Sequence, residues 1–241
     1  MSTQEIKSKT SPDSKRRHSL ELVWLVLAPI ALLLFFFATQ PFKETLATRS
    51  IDLSKYTSSQ RLNFLTAAKA LEGAVIKPQE VFSFNGRVGP RQSERGFVPA
   101  PGYLAGQKQN TNGGGICLVS STLYQVALLS GLQIVERTAH TNTVRSVAPG
   151  LDATVWYGRT DLKFKNTFSS PIAISCREDG DSLSLSLVGD TMTKLALNAK
   201  QPTLRRCEIG AGDSRNMQVE VFLKDGTREH LVSRDRYLVT R

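Results

Sequence analysis

Residues 116–130, "ICLVSSTLYQVALLS", constrain the fold more than any other stretch of the chain. Ile116, Leu118, Val119, Leu123, Val126, Leu128 and Leu129 surround nearly the whole circumference of a helix. A helix that is apolar on all sides is buried on most of them, so the remaining chain must wrap around it. Gly131 is its natural stop, and "LQIVERTA" then reads as a strand leaving the helix.

The wrapping material is mostly β. "DATVWYG" and "LKFKNTF" alternate, and "PIAISCR" and "SLSLSLV" alternate around "EDGD", a hairpin signal. "MQVEVFLKDGTREHLVSR" closes the chain as another hairpin, turning at Lys224–Thr227. Ahead of the central helix, "SQRLNFLTAAKALE" (59–72) places Leu62, Leu65 and Ala68, and also Phe64, Ala67 and Leu71, at helical spacing. Gly73 ends that helix, and "AVIKPQEVFSF" follows as two short β runs joined by a proline turn. Residues 85–115 are rich in Gly, Pro, Asn and Gln and read as loop with short strands. The order specifies an α+β fold with an antiparallel sheet and a buried central helix.

Residues 22–38, "LVWLVLAPIALLLFFFA", carry no charge and approach the length of a membrane-spanning helix. Pro29 is tolerated in such a helix. The flank before it holds Lys15, Arg16 and Arg17, which keep that end in the cytoplasm. A cleaved signal peptide is the alternative, but "ATQPFKE" offers no small-x-small cleavage site. The expectation is an uncleaved single-pass anchor in the cell membrane, with residues 43–241 outside the cytoplasm.

The net charge of +10 favours anionic partners. The body of the chain has no zinc-finger spacing, no RNP-like aromatic motif and no long basic block, so nucleic acid is not expected. An anionic envelope polymer or membrane surface fits better. No His/Cys/Asp/Glu spacing matches a metal site, and no cofactor is expected.

The candidate chemistry lies at the start of the central helix. In "NGGGIC", Gly113, Gly114 and Gly115 permit a tight turn into Cys117. A helix N-terminus favours thiolate, and the amides of this turn suit an oxyanion. Ser120, Ser121 and Tyr124 share the Cys117 face at helical spacing, a polar stripe on an otherwise apolar helix. A thiol nucleophile needs a base. Of three histidines, His18 precedes the anchor and His230 sits on a strand near the end, whereas His140 follows the strand that leaves the cysteine helix. Asp152 is the best candidate to orient His140, with Asp161 and Asn142 behind it. The bland alternative is a structural cysteine beside a turn, with Ser120 and Ser121 bonded back to helix carbonyls. Cys176 and Cys207 fall in β segments and are placed to bridge, or all three cysteines stay reduced. Arg91 and Arg95, in "GPRQSERGF", together with Arg145, form a weaker candidate anion site.

"AAKALEGAVIKPQEVFSFNGRVGPRQSERGF", "GGGICLVSSTLYQVALLSGLQIVER", "GLDATVWYG" and "DLKFKNTFSSPI" resemble the VanW family, named for an accessory protein of some vancomycin-resistance gene clusters. The resemblance covers about residues 50–190. It implies that Gly113–Gly115, Cys117, Ser120, Ser121, Thr122, Tyr124, Glu136, Arg137, His140 and Asp152 are signature positions. Two departures stand out: Leu118 replaces a usual glutamine, and Thr138 takes the place of the first of two histidines, leaving His140 as the second. The order of Cys-helix, strand, His and Asp also resembles the layout of transglutaminase-like and papain-like thiol folds.

The expected organisation is a cytoplasmic basic tail (1–21), a transmembrane anchor (22–39), a linker (40–58), a VanW-like domain (59–190) and a C-terminal β-hairpin extension (191–241). The first functional reading is an extracytoplasmic Cys-His thiol peptidase or acyl transferase acting on cell-wall peptides. The second is a non-enzymatic envelope module that binds cell-wall polymer or a membrane partner.

Overall fold

The computed structural model describes residues 27, 29–32, 41–104, 107–210 and 216–239. Its contacts divide the chain into two units, residues 1–40 and 41–241. In the first unit, residues 27 and 29–32 are helical and exposed, and the rest of the expected tail and anchor lies outside the described residues. No helix among the described residues is long and apolar enough to cross a membrane.

The second unit is α+β with antiparallel sheets. It opens with strand β1 (Glu44–Asp52), where a linker was expected. Only Leu46 and Ile51 of β1 are fully buried, so an edge strand with two inward side chains reads as a polar tether. Helix α1 (Ser58–Leu71) follows, fixed by a capping box in which Thr57 and Gln60 exchange hydrogen bonds. It buries Phe64, Ala67, Ala68 and Leu71 and leaves Leu62 exposed. Strands β2 (Val75–Ile76) and β3 (Val81–Ser83) flank the proline turn, and a short helix α2 (Phe84–Val88) follows at once. Strands β4 (Pro99–Leu104) and β5 (Gln107–Asn112) form a hairpin that delivers the glycine turn.

Helix α3 (Cys117–Leu129) is the buried central helix. Its residues Val119, Leu123, Val126 and Ala127 are wholly enclosed. Strand β7 (Lys163–Lys165) lies between β3 and β6 (Gln133–Glu136) and pairs antiparallel with both. The "DATVWYG" stretch makes only isolated bridges, Thr138 with Thr154 and Trp156 with Thr160. Strands β8 (Ile172–Asp179) and β9 (Ser182–Gly189) form the expected hairpin. The sheet order β1-β9-β8-β2 puts β9 inside, and its alternation sends Leu183, Leu185 and Leu187 into the core and the serines outward. Each such leucine contributes about 1.5–3 kcal/mol by leaving water. Helix α3 packs on β1 and β9, and α1 packs on β8.

The C-terminal portion is larger than a hairpin. Helix α4 (Thr191–Lys200), capped by Asp190, precedes a three-stranded sheet of β10 (Thr203–Gly210), β11 (Asn216–Asp225) and β12 (Arg228–Leu238). Val219, Val221 and Tyr237 make a second small core, against which Ala139 and Leu151 pack. The end of β12 continues into the segment after His140: Leu238 donates its amide to the Thr141 carbonyl at 2.9 Å, and Thr143 donates to the Leu238 carbonyl at 2.9 Å. The last sheet therefore holds the His140 loop through backbone bonds.

Candidate functional site

The glycine turn is pinned before it reaches the cysteine. The Asn63 side chain donates to the Val98 and Gly114 carbonyls at 3.0 and 3.1 Å, tying α1 to the turn. Gly114 itself lies so close to β4 that a Cβ there would sit 1.9 Å from the Ala100 carbonyl oxygen. No side chain caps the N-terminus of α3. The amides of Gly115 and Cys117 find no acceptor among the described residues. They remain as open donors at the start of the cysteine helix.

The polar stripe on α3 does two things at once. Ser120 Oγ and Ser121 Oγ both donate back to the Cys117 carbonyl, as helical serines do. Ser120 Oγ also donates to the Ala153 carbonyl at 2.6 Å, and Ser121 Oγ accepts from the Ala153 amide at 2.9 Å. The two serines thus staple the cysteine helix to the segment that begins with Asp152. Tyr124, one helical repeat on, is buried and lies beneath the Arg137 guanidinium, 5.2 Å from its ring centroid. Thr122 bonds back to the Leu118 carbonyl at 2.8 Å and takes no part in the site.

Asp152, 1% exposed, organises the other side. Its Oδ2 accepts from the His140 backbone amide at 2.7 Å and meets His140 Nδ1 at 2.6 Å. Its Oδ1 accepts from Arg137 at 3.0 Å, from the Gly150 amide at 3.2 Å and from the Tyr237 hydroxyl at 2.6 Å. Arg137 also pairs with Asp235 at 2.5 Å. Two carboxylates, one guanidinium and one imidazolium balance in charge within this buried network. Burial pulls His140 toward neutrality, but the Asp152 hydrogen bond and the neighbouring Cys117 outweigh it and raise its pKa to about 9. Burial would raise Asp152, yet the bonds from His140, the Arg137 charge and Tyr237 hold it down at about 2.

With Nδ1 taken by Asp152, Nε2 is the ring nitrogen that His140 has left for another partner. The Cys117 thiol points toward the Val155 carbonyl at 3.7 Å. Cys117 and His140 share the wall of an open cleft of about 690 Å³ with the glycine turn, Gln60, Trp156 and Tyr157. Cys117 is half-buried and not sealed among aliphatic groups.

The structure sorts the sequence-derived candidates. Cys117, His140, Asp152 and Gly113–Gly115 come together. Asp161 does not face His140; it accepts from Ser83, Asn85 and Leu162 instead. Asn142 bridges to Leu238 on the last sheet. His230 lies on β12 and is exposed. Glu136 caps the Asp161 amide and pairs with Lys163, away from the cleft. Thr138 is exposed and absent from the cleft lining, so the missing first histidine leaves no gap at the thiol. Leu118, in place of glutamine, is buried and lines the cleft. Arg91 and Arg145 line the cleft, whereas Arg95 donates to the Val88 carbonyl outside it. Cys176 and Cys207 are free thiols, and burial pushes Cys176 up to about 12.

Sequence reading missed Tyr237 and Asp235, which reach the site from the last strand, and the cleft walls at Gln60, Trp156 and Tyr157. Nothing local to Tyr237 marks it. The adjacent Trp156 and Tyr157, 42% and 51% exposed, were a readable signal of a binding wall.

An antiparallel α+β body that brings a cysteine and a histidine to one cleft, with a buried aspartate holding the histidine from behind, defines a candidate thiol site built across one helix and two loops. Residues 59–188 match the family described as VanW like protein, and the chain belongs to that family. It is 39% identical over 155 residues to the uncharacterized protein YoaR of Bacillus subtilis (strain 168), covering 64% of this chain and 51% of YoaR. It is 32% identical over 116 residues to the vancomycin B-type resistance protein VanW of Enterococcus faecalis (strain ATCC 700802 / V583), covering 46% of this chain and 42% of that protein. The chain thus spans about half the length of the curated relatives it matches. No solved structure matches it.

Proposed function

We propose that this protein is a membrane-anchored, extracytoplasmic thiol peptidase or acyl transferase that acts on cell-wall peptides. One observation carries the reading: Cys117 and His140 line the same open cleft, with His140 Nδ1 held 2.6 Å from the buried carboxylate of Asp152. The resistance to a wall-directed antibiotic in the name of one relative supports the substrate class. The uncharged stretch 22–38 behind a basic flank supports the anchor.

In this reading the Cys117 thiolate, paired with the His140 imidazolium, attacks a peptide carbonyl carbon. A carbon–sulfur bond forms, and the carbonyl π electrons move onto oxygen. The free amides of Gly115 and Cys117 receive that oxyanion. The carbon–nitrogen bond then breaks, and the His140 proton goes to the departing amine. Water or an acceptor amine attacks the thioester, gives its proton to His140, and releases the thiolate. Cys117 and His140 are the catalytic residues. Asp152 is a positioning residue, because it fixes the imidazole through Nδ1 and does not touch the reacting atoms.

The test is peptide turnover by the full-length protein and its Cys117→Ala variant on isolated cell-wall peptides, followed by mass spectrometry. The expected result is release of an amine product or formation of a new amide by the wild type and none by the variant, with the same melting temperature for both. Salt-sensitive wall binding that survives Cys117→Ala, with no turnover by either protein, would overturn the enzymatic reading and leave a binding module.

A further inference from the structure

The cleft beside Cys117 carries charge of one sign. Lys55, Arg91 and Arg145 line it, and among the described residues no aspartate or glutamate does. The three cations differ in kind. Lys55 is largely exposed and rests 3.1 Å from Asp52. Arg145 is exposed at the rim. Arg91 is half-buried and built in.

The Arg91 stem packs on Gly113, and its guanidinium lies 5.5 Å from the centroid of the Phe84 ring. Its two terminal nitrogens donate to the Gly89 carbonyl and to Asn85 Oδ1. Both acceptors are neutral. A guanidinium has five N–H donors, so three remain once those two bonds are made. Asn85 is itself fixed, donating to the Thr160 carbonyl at 2.7 Å and to the Trp156 carbonyl at 3.3 Å. The buried acid Asp161 spends its oxygens on Ser83, Asn85 and Leu162. Arg91 is therefore a positioned cation whose hydrogen bonds among the described residues go to neutral oxygens, with the Asp161 charge acting on it only through space. Burial pushes its pKa down to about 10, while the Cys117 charge opposes that fall, so it stays protonated at neutral pH.

A fixed planar fork with open donors complements a carboxylate better than any other common anion on a peptide. We infer that Arg91, with Arg145 at the rim, binds a carboxylate of the substrate next to the carbonyl that Cys117 attacks. The substrate class is then a peptide whose free C-terminal carboxylate lies close to the cleaved bond. The exposed rings of Trp156 and Tyr157 give its side chains a wall. This inference rests on the thiol reading of the site.

Iodoacetate and iodoacetamide carry the same electrophilic carbon, one on a carboxylate and the other on a neutral amide. Their rates at Cys117, measured on the full-length protein by peptide mass spectrometry, test the subsite without requiring turnover. The iodoacetate-to-iodoacetamide ratio should exceed that of a free cysteine peptide by about tenfold. It should fall to the free-peptide value in Arg91→Gln, survive in part in Arg91→Lys, and shrink with added salt. N-acetyl-alanyl-alanine, in L,L or D,D form, should protect Cys117 of the wild type from iodoacetamide, and its C-terminal amide should not. If Arg91→Gln fails to fold, this acid-versus-amide comparison decides alone. A reactive Cys117 with a free-peptide ratio and equal protection by acid and amide overturns the carboxylate subsite only. A Cys117 inert to both reagents overturns the thiol reading and this inference with it.

Discussion

The Tyr237 hydroxyl donates to Asp152 Oδ1 at 2.6 Å across 85 residues of sequence. The Tyr237 hydroxyl oxygen in turn accepts from the Gly150 amide at 2.6 Å. A side chain from the last strand thus completes the shell around the carboxylate that holds His140. The matched family region ends at residue 188, so this support comes from outside it. The three-stranded C-terminal sheet is part of the site's scaffold.

Tyr237→Phe keeps the ring in its small core with Val219 and Val221 and deletes only the hydroxyl. It leaves the buried Gly150 amide and Asp152 Oδ1 each short of a partner. The expected cost is about 1–3 kcal/mol in stability, as for buried groups that lose a hydrogen bond. The looser Asp152 should also lower the rate of Cys117 alkylation at neutral pH. Denaturant unfolding and iodoacetamide kinetics check both. A variant as stable and as reactive as the wild type would show that the sheet merely sits nearby.

The pH dependence of stability should have two limbs with opposite signs. Asp152 is depressed to about 2, so its contribution is complete above the unfolded value of about 3.9 and is lost as pH falls toward about 2. His140 is raised to about 9, so its contribution is complete below about 6.5 and is lost as pH rises through about 9. Asp152→Asn removes the acid-side contribution. It also removes the hydrogen bond and charge that lift His140, so the alkaline limb should move to lower pH. Unfolding free energies between pH 2 and 10 test this. An alkaline limb left in place by Asp152→Asn would show that the carboxylate does not set the state of the ring.

Much of this site was legible because its parts are local in sequence. A glycine turn, a cysteine at a helix start, a strand and then a histidine follow one another along the chain, and the helix and strand periodicities place them. The two serines were legible as a face, but their second bonds, to Ala153, were not, because a helical pattern does not show what the face touches. Strand β1 was read as linker for a physical reason: an edge strand needs few inward side chains, and "ETLATRSID" supplies Leu46 and Ile51 among polar residues. Helix α4 was hidden inside a stretch read as β extension, with only Thr193 and Leu197 buried to mark it. Tyr237 and Asp235 belong to a register of β12 that only tertiary packing fixes. Arg91 and Arg95 looked alike in one loop, and the fold aims one into the cleft and the other onto the Val88 carbonyl.

The glycine turn gives a prediction that separates close packing from backbone conformation. At Gly114 a Cβ would lie 1.9 Å from the Ala100 carbonyl oxygen and 2.5 Å from its carbon. Both are backbone atoms of β4, so no side chain can swing aside. Gly114→Ala must push the turn off β4, and the turn carries the free amides and the cysteine that follow. The expected cost is about 3 kcal/mol or more, at the upper end for overpacked sites. Any folded fraction should show slower Cys117 alkylation. Gly73 supplies the contrast: its φ is +68°, and a Cβ there meets nothing within 4 Å. Gly73→Ala therefore pays only for left-handed backbone, about 1–2 kcal/mol, and should leave the thiol rate unchanged. Melting temperatures and alkylation rates of the two variants provide the comparison. Equal losses of stability, or a normal thiol rate in Gly114→Ala, would mean that the turn does not hold Cys117 in place.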